Sequence, residues 1–271
     1  MLDYLVLELC GIDKRPKYPF IGSSVRGVFG RALKVACCPF INKSCDKCEF
    51  SGACVYHEFF ENLQTTPNFK LNFRLNQQSY DFKIYLFASA IKHYKKIIIA
   101  LQNMPYIGFG ANREPFVYKQ ILLNSQDITT LKLSELKPKK IHFSPTFTSG
   151  DYEIVTITPI RMKQNGKFVT KSIDFNLFIH QISMKLGEIT GIKQPKIQTT
   201  FSHIKQNFSF YDITRYSNRH ERKMEFGGVM GKIEVNNLDE NSAKLLELAT
   251  LTNVGKSVTF GLGKISVNKI Q

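Results

Sequence analysis

The chain opens on a strand-like apolar run, Leu2 to Cys10, and then changes period. Spaced at about 100° per residue, Val25, Val28, Phe29, Ala32, Leu33 and Ala36 fall on one side of a helix over 25–36, with Gly22-Ser23-Ser24 as its start. Arg26, Arg31 and Lys34 fall on the opposite side, and Gly27 and Gly30 lie among them. Glycine weakens a helix interior by about 1 kcal/mol relative to alanine. Two glycines on a polar face therefore predict room for a close neighbour such as a nucleic-acid backbone, the alternative being an ordinary solvated face.

Two alternating runs follow, Phe69 to Leu75 and Tyr80 to Ala88, split by a Gln-Gln-Ser turn that suits a hairpin. A helix over Ile91 to Gln102 ends at Asn103-Met104-Pro105, and Gly108-Phe109-Gly110 leads into a strand over Phe116 to Leu123. This β-α-β-β-α-β order is that of a ferredoxin-like unit. It recurs as a strand over Tyr152 to Met162, a helix over Phe175 to Ile189, strands over Phe208 to Tyr216 and Val229 to Val235, a helix over Ser242 to Leu251 and a short strand over Ile265 to Val267. Both halves place Gly-x-Gly before their last strand, at Gly108 to Gly110 and Gly261 to Gly263. The expectation is an α+β chain of two tandem ferredoxin-like, RNA-recognition-like domains, 1–140 and 141–271, joined through the lysine-rich stretch Lys132 to Lys140 with Pro138.

Charge sharpens this picture. Across 271 residues, 37 Lys and Arg against 22 Asp and Glu give a formal charge of +15, more than solubility asks for, which points to a polyanionic partner. No apolar run reaches the length of roughly 20 residues that spans a membrane, and Met1 to Cys10 has acids in place of the basic start of a signal peptide. The expectation is a cytoplasmic protein without a membrane partner.

In a reducing compartment the six cysteines are not expected to form disulfides. Cys38, Cys45, Cys48 and Cys54 run as Cys-x6-Cys-x2-Cys-x5-Cys, with Cys37 an alternative first ligand. The spacing suits a structural zinc, an iron–sulfur cluster or a metal-free loop, and does not choose among them. Cys10 reads as a core residue.

The segment Asn253 to Lys264 reads as a phosphate-binding turn. Gly255, Gly261 and Gly263 let a backbone approach an anion and turn N–H groups toward it, and Lys256 and Lys264 add charge. It is not a nucleotide P-loop, because Thr250 stands where that motif needs glycine, nor a dinucleotide fingerprint, because Ser266 replaces its third glycine.

The block Arg215-Tyr216-Ser217-Asn218-Arg219-His220-Glu221-Arg222-Lys223-Met224-Glu225-Phe226-Gly227-Gly228, together with the glycine loop, resembles the carboxyl-terminal domain of CRISPR-associated endoribonucleases of the RAMP superfamily, the Cas-six type. The amino half resembles the first domain of many members through Gly22-Ser23-Ser24-Val25-Arg26-Gly27, the cysteine loop and Tyr56-His57-Glu58-Phe59-Phe60-Glu61. The resemblance implies two tandem ferredoxin-like domains and CRISPR repeat RNA as partner, bound along a basic cleft between the domains. It also implies cleavage of precursor transcripts into guide RNAs that needs no cofactor and leaves a 2′,3′-cyclic phosphate. A CRISPR effector complex is a further implied partner, with the protein a monomer or homodimer; the alternative is a catalytically silent RNA-binding subunit of such a complex.

That reaction needs a base for the 2′-hydroxyl proton, an acid for the 5′-oxygen and cations around the phosphate. In many members the catalytic histidine falls between the first helix and the next strand, and His57 is the only histidine of this chain there. His57 is thus the candidate catalyst, with Lys34 and Arg26 as charge stabilisers; its other readings are a metal ligand beside Cys54 or a structural residue. Candidate RNA contacts are Arg31, Arg215, Tyr216, Arg219, His220, Arg222, Lys223, Gly255, Lys256, Gly261, Gly263 and Lys264. Arginine clamps phosphate and tyrosine stacks on an unpaired base, whereas the interleaved Glu221 and Glu225 suggest a salt-bridged turn. His93, His142, His180 and His203 read as structural.

Overall fold

A computed structural model of the chain describes residues 1–40, 44–45, 47–62, 64–195, 197–217 and 222–270, with the backbone alone at 214–217 and 222–225. The chain divides into two compact units, Met1–Phe143 and Ser144–Gln271. Among the described residues no helix is long and apolar enough to cross a membrane.

The first unit contains β1 (Leu2–Cys10), α1 (Gly22–Cys37), β2 (Phe69–Asn72), β3 (Phe82–Phe87), α2 (Tyr94–Ile107), β4 (Gln120–Leu123), β5 (Gln126–Asp127) and β6 (Ile141–Phe143). Its sheet order is β2-β3-β1-β4-β5, with β6 also on β1, and every pairing is antiparallel. The second unit contains β7 (Gly150–Thr156), β8 (Lys163–Gln164), β9 (Lys167–Phe168), α3 (Phe175–Thr190), β10 (His203–Tyr211), β11 (Thr214–Ser217), β12 (Arg222–Glu225), β13 (Gly228–Leu238), α4 (Glu240–Thr252) and β14 (Ile265–Ile270). Its main sheet, β10-β13-β7-β14, repeats the same order and is again antiparallel throughout. Each unit is therefore a ferredoxin-like fold, its second strand at one edge and its first strand in the interior.

The period-2 and period-3.6 patterns meet in the cores. Leu5, Leu7 and Leu9 of β1 are buried, as are Val25, Val28, Phe29, Ala32 and Leu33 of α1. In the second unit Tyr152 and Ile154 of β7 pack with Phe178 and Ile179 of α3 and Leu246 and Ala249 of α4 in one apolar cluster. The second unit's helices have side-chain caps. Asp174 accepts from the Leu177 amide at 3.1 Å, Asp239 accepts from Ser242 at 2.9 Å, and Gly191 ends α3 in the left-handed region, φ +70. By contrast, Ser23 and Ser24 sit inside the first turn of α1, which no side chain caps.

Several boundaries differ from expectation for identifiable reasons. The helix expected from Ile91 begins as a 3-10 turn over Ala88–His93, and α2 continues through Pro105 to Ile107, where Gly108 at φ +72 stops it. Proline in a last turn removes a single backbone bond. The strand expected to reach Met162 ends at Thr156, because the Ile157 and Thr158 amides both turn to the Lys264 carbonyl, at 2.8 and 3.2 Å. The strand expected over Phe208 to Tyr216 is β10, begun at His203, and the residues from Thr214 leave the main sheet for the β11–β12 hairpin.

Candidate nucleic-acid interface

The polar face of α1 meets the segment that follows the cysteine loop. Residues His57–Glu61 form a π-helical turn, and its rings stand against α1. Tyr56 stacks on Phe60 with centroids 5.4 Å apart, and Phe60 lies 5.9 Å from Phe29. Arg26 sits over the Phe60 ring at 4.4 Å and Lys34 over the Tyr56 ring at 5.6 Å. The two cations thus bracket an aromatic pair, each in the cation–π geometry that holds a charge beside a ring face without neutralising it. The Tyr56 hydroxyl donates to Glu61 at 2.9 Å.

The close neighbour expected at the two helix glycines is internal at one and absent at the other. A Cβ on Gly30 would stand 2.7 Å from a Phe60 ring atom, and Gly30 is buried, whereas nothing lies within 4 Å of one on Gly27.

His57 is half-buried on this turn, and its ring has no hydrogen-bond partner among the described residues. Its neighbour Glu58 is bound instead to His93, Nε2 to Oε2 3.0 Å, and accepts from Ser89 at 3.4 Å. The His93 hydrogen bond, stronger than the opposing effect of burial, holds the Glu58 carboxyl below its ordinary value. His93, expected as an isolated structural residue, is one half of an imidazole–carboxylate pair whose partner lies 35 positions away. His142 is likewise paired, with Asp3 at 2.6 Å.

Arg31 does not join Arg26 and Lys34. Its guanidinium reaches the Gly108 carbonyl at 3.5 Å, and burial, reinforced by Arg113, lowers its pKa.

The cysteines expected as metal ligands lie in one neighbourhood, Cys38 and Cys54 both acting on the Cys45 thiol, which burial raises. Cys38, Cys45 and Cys48 line a cavity of about 180 Å³ together with Phe40, Lys47 and Phe50. Cys54 acts on Cys37, whose thiol burial pushes up to about 11. Among the described residues no three His, Cys, Asp or Glu side chains form a group that could hold a metal ion. Cys10 lies on β1 but not in the core: it is half-buried and alternates with the buried Leu5, Leu7 and Leu9, and burial, foremost among several causes, pushes its thiol up to about 12.

The C-terminal glycine loop is folded onto its own unit. Gly255, Gly261 and Gly263 have φ of +71, +83 and +72. The Gly261 amide donates to Val258 at 2.8 Å, Gly263 to Pro159 at 2.9 Å and Lys256 to Arg161 at 2.7 Å. A Cβ would fall 2.6 Å from the Arg161 oxygen at Gly255 and 1.8 Å from the Val254 oxygen at Gly263. The expected nest of free N–H groups is thus corrected at Lys256, Gly261 and Gly263. There the amides close the loop, and the glycines admit neighbouring carbonyls where a side chain would collide. The Lys256 side chain is exposed, whereas Lys264 is half-buried.

Beside this loop stands a cluster absent from the sequence expectations. The Arg161 guanidinium lies 3.8 Å from the Phe168 centroid and 5.6 Å from Phe226, and donates to the Gly227 carbonyl at 3.0 Å. Phe226 in turn packs edge-on against Phe260 of the loop at 4.8 Å. Asn165-Gly166, at φ +50 and +77, makes the two-residue turn of the β8–β9 hairpin. That dipeptide was the available sequence signal.

Register places Arg215 opposite Met224, Tyr216 opposite Lys223 and Ser217 opposite Arg222. Arg219 and His220 lie outside the described residues.

Residues 154–265 match the family model described as CRISPR-associated endoribonuclease Cas6, and residues 16–141 match one described as an N-terminal domain. A curated relative, an uncharacterized protein of Archaeoglobus fulgidus, is 21% identical over 280 residues, covering 92% of each chain. Among solved structures, Cas6 of Thermus thermophilus is 14% identical with a TM-score of 0.55, covering 99% of this chain and 98% of that one. A product complex of the same Cas6 gives 15% and 0.60, covering 99% of both chains. The product of a Cas6-related gene from Pyrococcus furiosus is 11% identical with a TM-score of 0.51, covering all of both chains. These likenesses agree with the fold of two tandem ferredoxin-like units.

Proposed function

We propose that the chain is a Cas6-type protein of the RAMP superfamily that binds CRISPR repeat RNA and cuts precursor transcripts into guide RNAs at the face of α1. The match of residues 154–265 to the Cas6 family model and the fold shared with Cas6 structures support this reading. The observation that carries it is the pair of cations, Arg26 and Lys34, held over the Phe60 and Tyr56 rings, Phe60 lying on the turn that bears His57 and Tyr56 immediately before it. Similar proteins have been solved as a product complex and as a RAMP protein binding different RNA substrates.

In the proposed step the RNA supplies its own nucleophile. The 2′-oxygen attacks the adjacent phosphorus, the bond from phosphorus to the 5′-oxygen breaks, and a 2′,3′-cyclic phosphate remains. His57 moves the proton: neutral imidazole takes it from the 2′-hydroxyl, and imidazolium supplies one to the departing 5′-oxygen. Arg26 and Lys34 offset the charge that grows on the equatorial oxygens. Residues of this chain suffice for these roles, so the reaction is read as metal-independent. The overall charge of +15 holds the polyanion by phosphate contacts whose strength falls with salt.

Incubating the protein with its own repeat RNA in EDTA tests the reading. One cut with a cyclic-phosphate end is expected, and His57→Ala should lower the rate by about 100-fold or more with RNA affinity retained. Tight binding with no cut in the unsubstituted protein would identify a silent RNA-binding subunit instead.

A further inference from the structure

The β8–β9 hairpin has no part in the fold's core, yet it holds an aromatic ring in the open. Phe168 ends β9 and keeps 37% of its surface exposed, although the Arg161 guanidinium stacks on it at 3.8 Å. An exposed phenylalanine on a hairpin would ordinarily swing among rotamers. Here it is braced, because Arg161 is itself fixed by its bond to the Gly227 carbonyl and by the Phe226 ring. The main chain of Arg161 is also bound to the glycine loop, since its carbonyl accepts the Lys256 amide at 2.7 Å. Lys163 lies directly opposite Phe168 across the hairpin, and its ammonium is 5.2 Å from the ring centroid. Lys163, Lys167 and Lys256 are exposed, and none has an ion-pair partner among the described residues.

A fixed, partly exposed ring with the Lys163 ammonium beside it, and with two further exposed lysines on the same hairpin and on the loop bound to Arg161, matches what a single-stranded nucleic acid asks for: a flat apolar surface for one base and cations for its phosphates. A protein partner of ordinary composition would use the ring and leave three ammonium groups uncompensated. We propose that Phe168, braced by Arg161, is a stacking platform for one unpaired nucleobase of the bound RNA, with Lys163, Lys167 and Lys256 meeting the neighbouring phosphates. This site rests on the RNA-binding reading above and adds to it a contact that takes any base with an exposed face.

The chain contains no tryptophan, so Phe168→Trp creates a single reporter at the site. Titration with the repeat RNA should quench its emission in step with binding, at an affinity close to that of the unsubstituted protein. Phe168→Leu keeps an apolar side chain but no stacking face, and should weaken binding by about 5- to 150-fold, the range for removal of one stacked base, with the thermal midpoint unchanged. If the unsubstituted protein binds the RNA while the tryptophan emission stays constant and Phe168→Leu binds normally, the platform is overturned and the RNA-binding reading stands. If the unsubstituted protein binds no RNA at low salt, both fall.

Discussion

The Phe60 ring occupies the space that a side chain on Gly30 would need, 2.7 Å from the nearest ring atom, while Gly27, one turn earlier, faces open space. The two glycines of one helix face therefore do different things. Gly30→Ala must push the ring away from Tyr56 and from under Arg26, costing about 1–3 kcal/mol of overpacking strain against a helix-propensity gain of about 1 kcal/mol. Gly27→Ala takes the gain without the strain. Thermal melts should show Gly27→Ala rising by a few degrees and Gly30→Ala falling or failing to rise. RNA cleavage should drop in Gly30→Ala alone.

The buried stripe of α1 was legible in the sequence because its apolar period is unbroken, and so was the duplicated strand and helix order, which both sheets repeat. What escaped was tertiary or too short to show a period. The two-residue strands of the β8–β9 hairpin cannot display alternation, and Glu58 meets His93 through a fold that local pattern does not encode. The glycine loop was legible as a special backbone but not as a self-bonded one. Composition reveals that a chain can turn its amides, and only the neighbouring carbonyls of Pro159 and Arg161 decide where they point.

The Glu58–His93 pair gives the first unit an acid-sensitive tie. Hydrogen bonding by His93 lowers the folded-state pKa of Glu58 below its ordinary value. At pH values above that ordinary value the carboxylate's contribution to stability is complete, and it is lost as the pH falls through the lowered folded value. Denaturant melts from pH 7 down to pH 3 should therefore show a smaller acid loss for Glu58→Gln than for the parent. The difference should be modest, since the pair is partly open to solvent and screened. Equal slopes in the two proteins would remove the tie.

Lys185 of α3 should produce a slope of the same sign in the second unit, at alkaline rather than acid pH. Its Nζ donates to the Thr252 and Asn253 carbonyls at the end of α4, at 3.0 and 3.3 Å, and burial pulls its pKa down to about 7, with Glu188 acting in the other direction. Between that value and the ordinary lysine value the unfolded chain binds a proton that the folded chain does not, so stability should rise as the pH climbs from 7 toward 10. Lys185→Met should flatten this part of the stability–pH curve. An unchanged slope in the variant would show that the ammonium stays charged against the helix carbonyls throughout.

Within the C-terminal loop, architecture and RNA contact should separate cleanly between two residues. Gly263 sits at φ +72 with the Val254 carbonyl where a Cβ would be, and its own amide is bound to Pro159. Gly263→Ala has no shift of a flexible side chain available to relieve the clash, since the obstacle is backbone. It should cost about 3 kcal/mol or more, from collision added to left-handed strain, and lower the melting midpoint of the second unit before any RNA is added. Lys256 is exposed and only its backbone is used, so Lys256→Ala should leave that midpoint within a degree of the parent. Its effect should instead be a uniform loss of RNA affinity, with the slope of log affinity against log salt falling by about one phosphate contact. A Lys256→Ala protein with parental salt dependence would take the loop out of the RNA interface and leave it a structural closure.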